Sequence, residues 1–262
     1  IMNNIEKKMV EVLLELKEKF GVFEVKAEFE AEGSRLDELM RLKDVTSKAG
    51  LPIILKVGGV EAVTDVYSGL TLGVSGIIAP MAETKYAASK FTDLIDHYIA
   101  DDNAENIDFS LNIETIVAYQ NFDDILSLKN IGNISGITVG RVDMIGSMGL
   151  DRGEINTSKK VEDICRDILI KSKRKSLKTA LGGGVSIESS SFISSLNDDG
   201  LLDKFETRKV VFPSESIRFG QEAILKAVEF ELLWLEGKQR FYSLIKNEDL
   251  SRIEMLRGRL NG

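Results

Sequence analysis

Two acidic residues, Glu114 and Asp143, stand at the ends of two strand-like stretches separated by one helix length of chain. In the first stretch Ile107, Phe109, Leu111 and Ile113 alternate with Asp108, Ser110, Asn112 and Glu114. A period of two puts an apolar row on one face of a β-strand and a polar row on the other. The second stretch, residues 135–143, runs through Ile137 and Val139 to Gly140 and ends at Asp143. Between them Ile116, Val117, Phe122, Ile125 and Leu126 mark a helix. A strand–helix–strand unit makes its two strands parallel neighbours, so both acids arrive at the same C-terminal edge. Two carboxylates there bind Mg²⁺ or Mn²⁺, which take oxygen ligands. Two solvated loop acids have the same spacing, and spacing alone leaves both readings open.

The bulk properties remove several classes of function. In 262 residues, 43% are hydrophobic and 29% charged, as in an ordinary globular chain, and the net charge of −8 gives no basic footprint for nucleic acid. The local basic run KSKRKSLK (171–178) reads as the solvated end of a helix. No apolar run approaches the roughly 20 residues a membrane helix needs, and the charged, amphipathic start is not that of a signal peptide. Cys165 is the sole cysteine and His97 the sole histidine. Disulfides within the chain and His/Cys zinc sites are excluded by count, which fits a reducing compartment and a cytoplasmic protein. A Ser-His-Asp triad would have to use His97, which reads as a surface residue of a charged helix.

Seven strands alternate with helices: 22–30, 51–57, 75–80, 107–114, 135–142, 177–182 and 204–212. An amphipathic helix, 2–20, precedes them, and two or three helices over 214–260 follow. Alternation with short connections calls for a parallel sheet with helices outside. No glycine-rich nucleotide loop follows the first strand, so a TIM (β/α) barrel fits better than an open sheet. The whole chain, 1–262, reads as one barrel domain. Glu30, Lys56, Pro80, Glu114, Asp143, Gly182 and Pro213 fall at strand C-termini, where such barrels hold their sites. Residues 144–156, rich in glycine and polar residues, read as a loop over that edge. The alternating charges Glu24, Lys26, Glu28 and Glu30 on the first strand would line the lumen of a closed barrel, where charge needs a reason. Gly182, Gly183 and Gly184 let a backbone approach a ligand closely, although no P-loop Lys-Ser/Thr follows them. Leu232, Leu233, Trp234 and Leu235 make one of these C-terminal helices apolar nearly all round, as expected of a buried helix, often one packed on another subunit.

Three stretches, GVSGIIAPMAET (73–84), SLNIET (110–115) and VGRVDMIGSMGLDRG (139–153), resemble the HpcH/HpaI aldolase and citrate lyase β-subunit family. Weaker similarity runs from about Val25 to Ala180. The resemblance implies a TIM barrel in which Glu114 and Asp143 hold a divalent metal, Mg²⁺ or Mn²⁺. It implies carbon–carbon cleavage or formation next to a carbonyl through an enolate, on a 2-oxo acid or an acyl thioester. It also implies a homo-oligomer, often with an exchanged C-terminal helix. The departures lie in the site. The position of the family's proton-transferring His is Ala31, beside Glu28, and its substrate-gripping Arg is replaced by Lys56. The family's first strand is missing or altered, with the helix 2–20 in its place.

Within that resemblance Lys56, Glu28 and Glu30 are the candidate catalytic groups. Lys56 would stabilise the enolate oxygen and a glutamate would move the proton. Arg141, Lys56, Pro80, Gly182 and Gly183 are the candidate substrate contacts. The residues permit other roles. Lys56 suits an ion pair with Glu28 or Glu30, and Arg141 a salt bridge with a neighbouring glutamate. Lys56 or Lys26 would serve as a Schiff-base nucleophile only if its pKa were depressed, which nearby acids oppose. A barrel without the His and Arg also suits a binding or assembly protein that keeps the fold.

Overall fold

The structure is a computed structural model, and it describes residues 1–261. Helix α1 (Asn4–Phe20) opens the chain. Asn3 and Glu6 cap its start reciprocally and Gly21 ends it in the left-handed conformation. There follow β1 (Glu24–Glu28), α2 (Leu36–Ala49), β2 (Ile53–Lys56), α3 (Val63–Leu72) and β3 (Gly76–Ala79). Next come α4 (Lys85–Tyr98), α5 (Asp101–Ala104), β4 (Asp108–Ile113), α6 (Ile116–Gln120), α7 (Phe122–Leu126), β5 (Gly136–Gly140) and α8 (Arg141–Ser147). The chain finishes with α9 (Lys159–Arg174), β6 (Lys178–Gly182), α10 (Ser190–Asp198), β7 (Lys204–Glu206), β8 (Val210–Pro213) and α11 (Gly220–Asn261).

The strands close into a barrel in chain order, β1 to β8. Strands β1 to β7 are parallel neighbours, while β8 runs antiparallel to both β7 and β1. The strand expected over 204–212 is thus two strands of a hairpin, turned at Thr207–Lys209. There the Thr207 N–H donates to the Val210 carbonyl at 3.0 Å, and the Val210 N–H reaches the Thr207 hydroxyl at 3.4 Å. The barrel is complete: the antiparallel β8 closes it between β7 and β1. Because β8 descends, Pro213 pairs with Lys204 at the opposite rim, away from the C-terminal ends of β1 to β7.

Residues of alternate parity face opposite ways. Val25, Ala27, Ile53, Leu55, Phe109, Leu111, Ile113, Val139 and Leu181 join the large core under the helices. Ile54, Ile78 and Val211 form a separate small cluster of the other parity, the apolar floor of the lumen. Above that floor the inward positions are charged or polar and buried: Lys26, Glu28, Lys56, Asn112, Glu114, Thr138 and Glu206. Two segments depart from expectation elsewhere. Residues 141–156 are mostly helical, α8 followed by a 3₁₀ turn at Arg152–Asn156, so Asp143 lies in the first turn of a helix. The C-terminal region is a 3₁₀ turn and one helix of 42 residues, not two or three. Along α11 Leu233 and Trp234 are buried, whereas Leu232 and Leu235 are exposed. No helix among the described residues is long and apolar enough to cross a membrane.

Candidate active site

A cavity of about 610 Å³ opens at the C-terminal ends of the parallel strands. Its lining includes Glu28, Glu30, Lys56, Glu114, Asp143, Gly182 and Gly183, so seven of the expected site residues share one space. Pro80 is buried and stands outside the lining. Its neighbour Met81, in left-handed backbone at φ 52°, turns its N–H onto Glu114 Oε1 at 3.0 Å.

Glu114 is 1% exposed and held from three sides. Besides the Met81 N–H, Oε2 accepts from the Asn112 amide at 2.9 Å and from the Lys56 ammonium at 3.4 Å. Gly140 makes this placement feasible: a Cβ there would stand 2.6 Å from Glu114 Oε2. Gly182 does the same for Glu206, whose Oε1 would lie 2.8 Å from an added Cβ. The two glycines thus leave room for two acidic side chains within the barrel.

Lys56 also lies 2.6 Å from Glu30 Oε2, a short ion pair. On the other wall Lys26 Nζ sits 3.3 Å from Glu28 and 3.4 Å from Glu206. Burial works against charge on Lys26 and Lys56, but the carboxylates around each outweigh it and hold both ammoniums above the ordinary lysine range. That direction opposes a Schiff-base role for either. Burial also opposes charge on Glu28, yet Lys26, Arg208 and Lys56 keep its carboxyl below the usual value. The ion pair anticipated for Lys56 is therefore present, with Glu30.

Arg141 does not reach the cavity. Its buried guanidinium donates to Asn156 Oδ1 at 3.0 Å, the Ser189 hydroxyl at 2.9 Å and the Gly184 carbonyl at 3.2 Å. The first turn of α8 aims it sideways, where it ties the segment after α8 to the glycine run after β6. The expected substrate contact is replaced by this clamp, and among the described residues no glutamate pairs with it. Cys165 is buried, and burial pushes its thiol up to about 12, so it is no nucleophile. His97 is exposed on α4.

Several lining residues were not expected: Arg152, Glu206, Arg208 and, from α11, Val228 and Glu231. Glu206 and Arg208 were hidden by reading the hairpin as one strand. Glu231 was hidden because helix periodicity does not say what the helix covers. Burial raises the Glu231 carboxyl above the usual range, against the pull of Arg208 and Lys209. Lys209 is buried beside Glu32, its ammonium 5.3 Å from the Trp234 ring centre. Burial lowers its pKa, and Glu32 offsets this only in part.

Sequence comparison finds neither a matching family model nor a matching curated protein. Comparison of structures does find similar folds. The citrate synthase SbnG matches with a TM-score of 0.62 at 16% identity, covering 76% of this chain and 81% of that one. An HpcH/HpaI aldolase from Desulfitobacterium hafniense DCB-2 matches at 0.61 and 13%, covering 79% and 82%. An HpcH/HpaI aldolase/citrate lyase family protein from Burkholderia cenocepacia J2315 matches at 0.61 and 14%, covering 86% and 89%. At these identities the likeness is one of fold. The chain is a (β/α) barrel with the fold of the HpcH/HpaI aldolase and citrate lyase structures, closed by an antiparallel eighth strand.

Proposed function

We infer that the protein is a carbon–carbon lyase that works through an enolate, dependent on a divalent cation held by Glu114 and Asp143. The observation that carries this reading is the charge and donor set of the cavity. Six acids line it (Glu28, Glu30, Glu114, Asp143, Glu206 and Glu231) against four cations (Lys26, Lys56, Arg152 and Arg208). With all ionised, acids exceed cations by two, the charge a divalent ion supplies. Asn112 Oδ1, buried on the same wall, has no hydrogen-bond donor, and Asp143 is exposed to the cavity. An all-oxygen set of this kind suits Mg²⁺ or Mn²⁺. When bound, such a cation supplies Lewis-acid stabilisation for the negative charge that grows on the substrate carbonyl oxygen.

The chain's own residues have the remaining tasks. In retro-aldol cleavage of a 4-hydroxy-2-oxo acid, a base takes the 4-hydroxyl proton and the C3–C4 bond breaks. Its electron pair moves into the C2 carbonyl as an enolate, and an acid then protonates C3. Lys56 places a buried positive charge beside the developing enolate oxygen. Lys26, Arg208 and Lys56 lower the Glu28 carboxyl, which makes it a weak base. Glu231, its carboxyl raised, is better matched to accept and return the proton. Gly182 and Gly183 line the cavity, Gly182 making room for Glu206 and Gly183 for the backbone at the start of α8. The exposed apolar residues of α11, Leu225, Val228, Leu232 and Leu235, support assembly into a homo-oligomer. The cytoplasm suits such an enzyme.

The competing reading is a binding or assembly protein that has kept the barrel. What favours it is Lys56 leaning on Glu114, an internal cation at a carboxylate the enzyme reading gives to a metal. A panel of 4-hydroxy-2-oxo acids and acyl-CoA esters, assayed with Mg²⁺ and Mn²⁺, separates the two. The enzyme reading expects cation-dependent cleavage that Glu114→Gln abolishes. Turnover of none of them, or turnover indifferent to Glu114→Gln, contradicts it.

A further inference from the structure

The cations around the cavity differ in what they have left to offer. Lys26 is divided between Glu28 and Glu206, and Lys56 between Glu30 and Glu114. Lys209 is buried against Glu32, and Arg141 is consumed by the α8 clamp. Arg208 is different. It sits at the tip of the β7–β8 hairpin, its side chain 45% exposed, and it lines the cavity. Its guanidinium lies 3.3 Å from Glu32 and 3.8 Å from Glu28 without a well-formed hydrogen bond to either. A planar fork of five N–H groups, half open to the cavity, is the group that recognises a carboxylate in two-point fashion. Glu28 and Glu32 each have a lysine partner already, so neither needs Arg208 for neutralisation.

The hairpin explains why the arginine comes from here. Seven parallel strands leave a gap that β8 fills by running downward, and its turn must then lie at the upper rim. Thr207 closes that turn through its own hydroxyl and N–H, leaving Arg208 at the apex. We propose that Arg208 is the carboxylate-binding residue of the cavity, selecting anionic, carboxylate-bearing substrates from the β7–β8 side. This rests on the lyase reading for the reaction it serves, but the binding role is separable. Arg152, an exposed residue of the lining, has a lesser share because water screens it.

The test is equilibrium binding of pyruvate, oxaloacetate and malonate by calorimetry, with and without Mn²⁺, after a direct Mn²⁺ titration. The variants are Arg208→Gln, Arg208→Lys and Arg152→Gln, each checked for an unchanged melting temperature. The expected result is a loss of carboxylate affinity of about tenfold to a hundredfold in Arg208→Gln, the range for one charge-assisted contact. Arg208→Lys recovers part of it, and Arg152→Gln changes it less than about threefold. If Mn²⁺ binds but carboxylate affinity is equal in wild type and Arg208→Gln, the proposal is overturned while the metal reading stands. If Mn²⁺ does not bind yet carboxylates still depend on Arg208, the metal reading falls and this one stands. Failure of wild type to bind any of the three at millimolar concentration overturns the proposal. Should Arg208→Gln fail to fold, Arg208→Lys decides, since a merely structural ion pair with Glu32 would survive that change with affinity intact.

Discussion

The two sides of the barrel mouth handle buried charge differently. On the β2–β5 side Lys56 stands inward on β2, and Asn112 and Glu114 inward on and just after β4 with β3 between them, so Lys56 meets Glu114 across one intervening strand. Attraction there exceeds the cost of burial, and Lys56 is held above its ordinary range. On the β6–β8 side the charge lies under the hairpin and against α11. There Lys209 faces Glu32 and an aromatic ring, and burial wins. A strand lattice supplies several partners at fixed spacing, whereas a turn packed beneath a helix supplies one. The first arrangement makes a rigid polar layer above the apolar floor, and the second leaves Arg208 partly exposed beside Glu32 and Glu28.

Lys56→Met makes the sharpest contrast. It leaves Glu114 and Glu30 facing each other without their shared cation, and urea denaturation should show a loss of about 3–5 kcal/mol. Gly183→Ala comes next. Its backbone has φ +78°, and an added Cβ would lie 2.6 Å from the Arg141 nitrogen, so the loss should be about 3 kcal/mol or more. Gly140→Ala pushes on a side chain instead of backbone and should cost about 2 kcal/mol, with the greater effect on cation affinity because Glu114 is displaced. The smallest effect belongs to Lys209→Met, whose partner Glu32 keeps Arg208. Stability should change by less than about 1 kcal/mol, in either direction. Equal losses from Lys56→Met and Lys209→Met would break the comparison.

The two lysines also predict pH slopes of opposite sign. Lys56 is raised above 10.5, so its stabilisation is complete below pH 10.5 and is lost as pH rises through the raised value. Lys209 is lowered from 10.5, so keeping it charged costs stability below its lowered value, and the cost eases as pH rises toward 10.5. At the acid end Glu28, lowered from 4.5, stabilises above pH 4.5 and ceases to do so as pH falls through its lowered value. Denaturation midpoints of the Lys56→Met and Lys209→Met variants across alkaline pH read the difference.

What the sequence made legible follows the same division. The alternation Asp108, Ser110, Asn112, Glu114 fixes which residues enter the lumen, because a closed barrel gives a strand only an inside and an outside. The order of strands and helices fixes the parallel pairs, and with them the shared edge of Lys56, Glu114 and Asp143. Alternation carries no chain direction, however. In FETRKVVFP nothing marks a turn, since Thr207, Arg208 and Lys209 include no glycine, asparagine or proline. The hairpin, Glu206 and Arg208 were lost together for that reason. Arg141 looked like a site residue by its position after β5, but its direction depends on the first turn of α8. The cover over the mouth by Glu231 and Val228 depends on where a long helix lies against the barrel.

A calorimetric titration of wild type, Glu114→Gln and Asp143→Asn with Mn²⁺ tests the central claim most directly. The account predicts one cation per chain in wild type, with affinity falling more than about a hundredfold in both variants, beyond what loss of an outer partner costs. Equal binding by all three, or none by wild type at millimolar Mn²⁺, would contradict it.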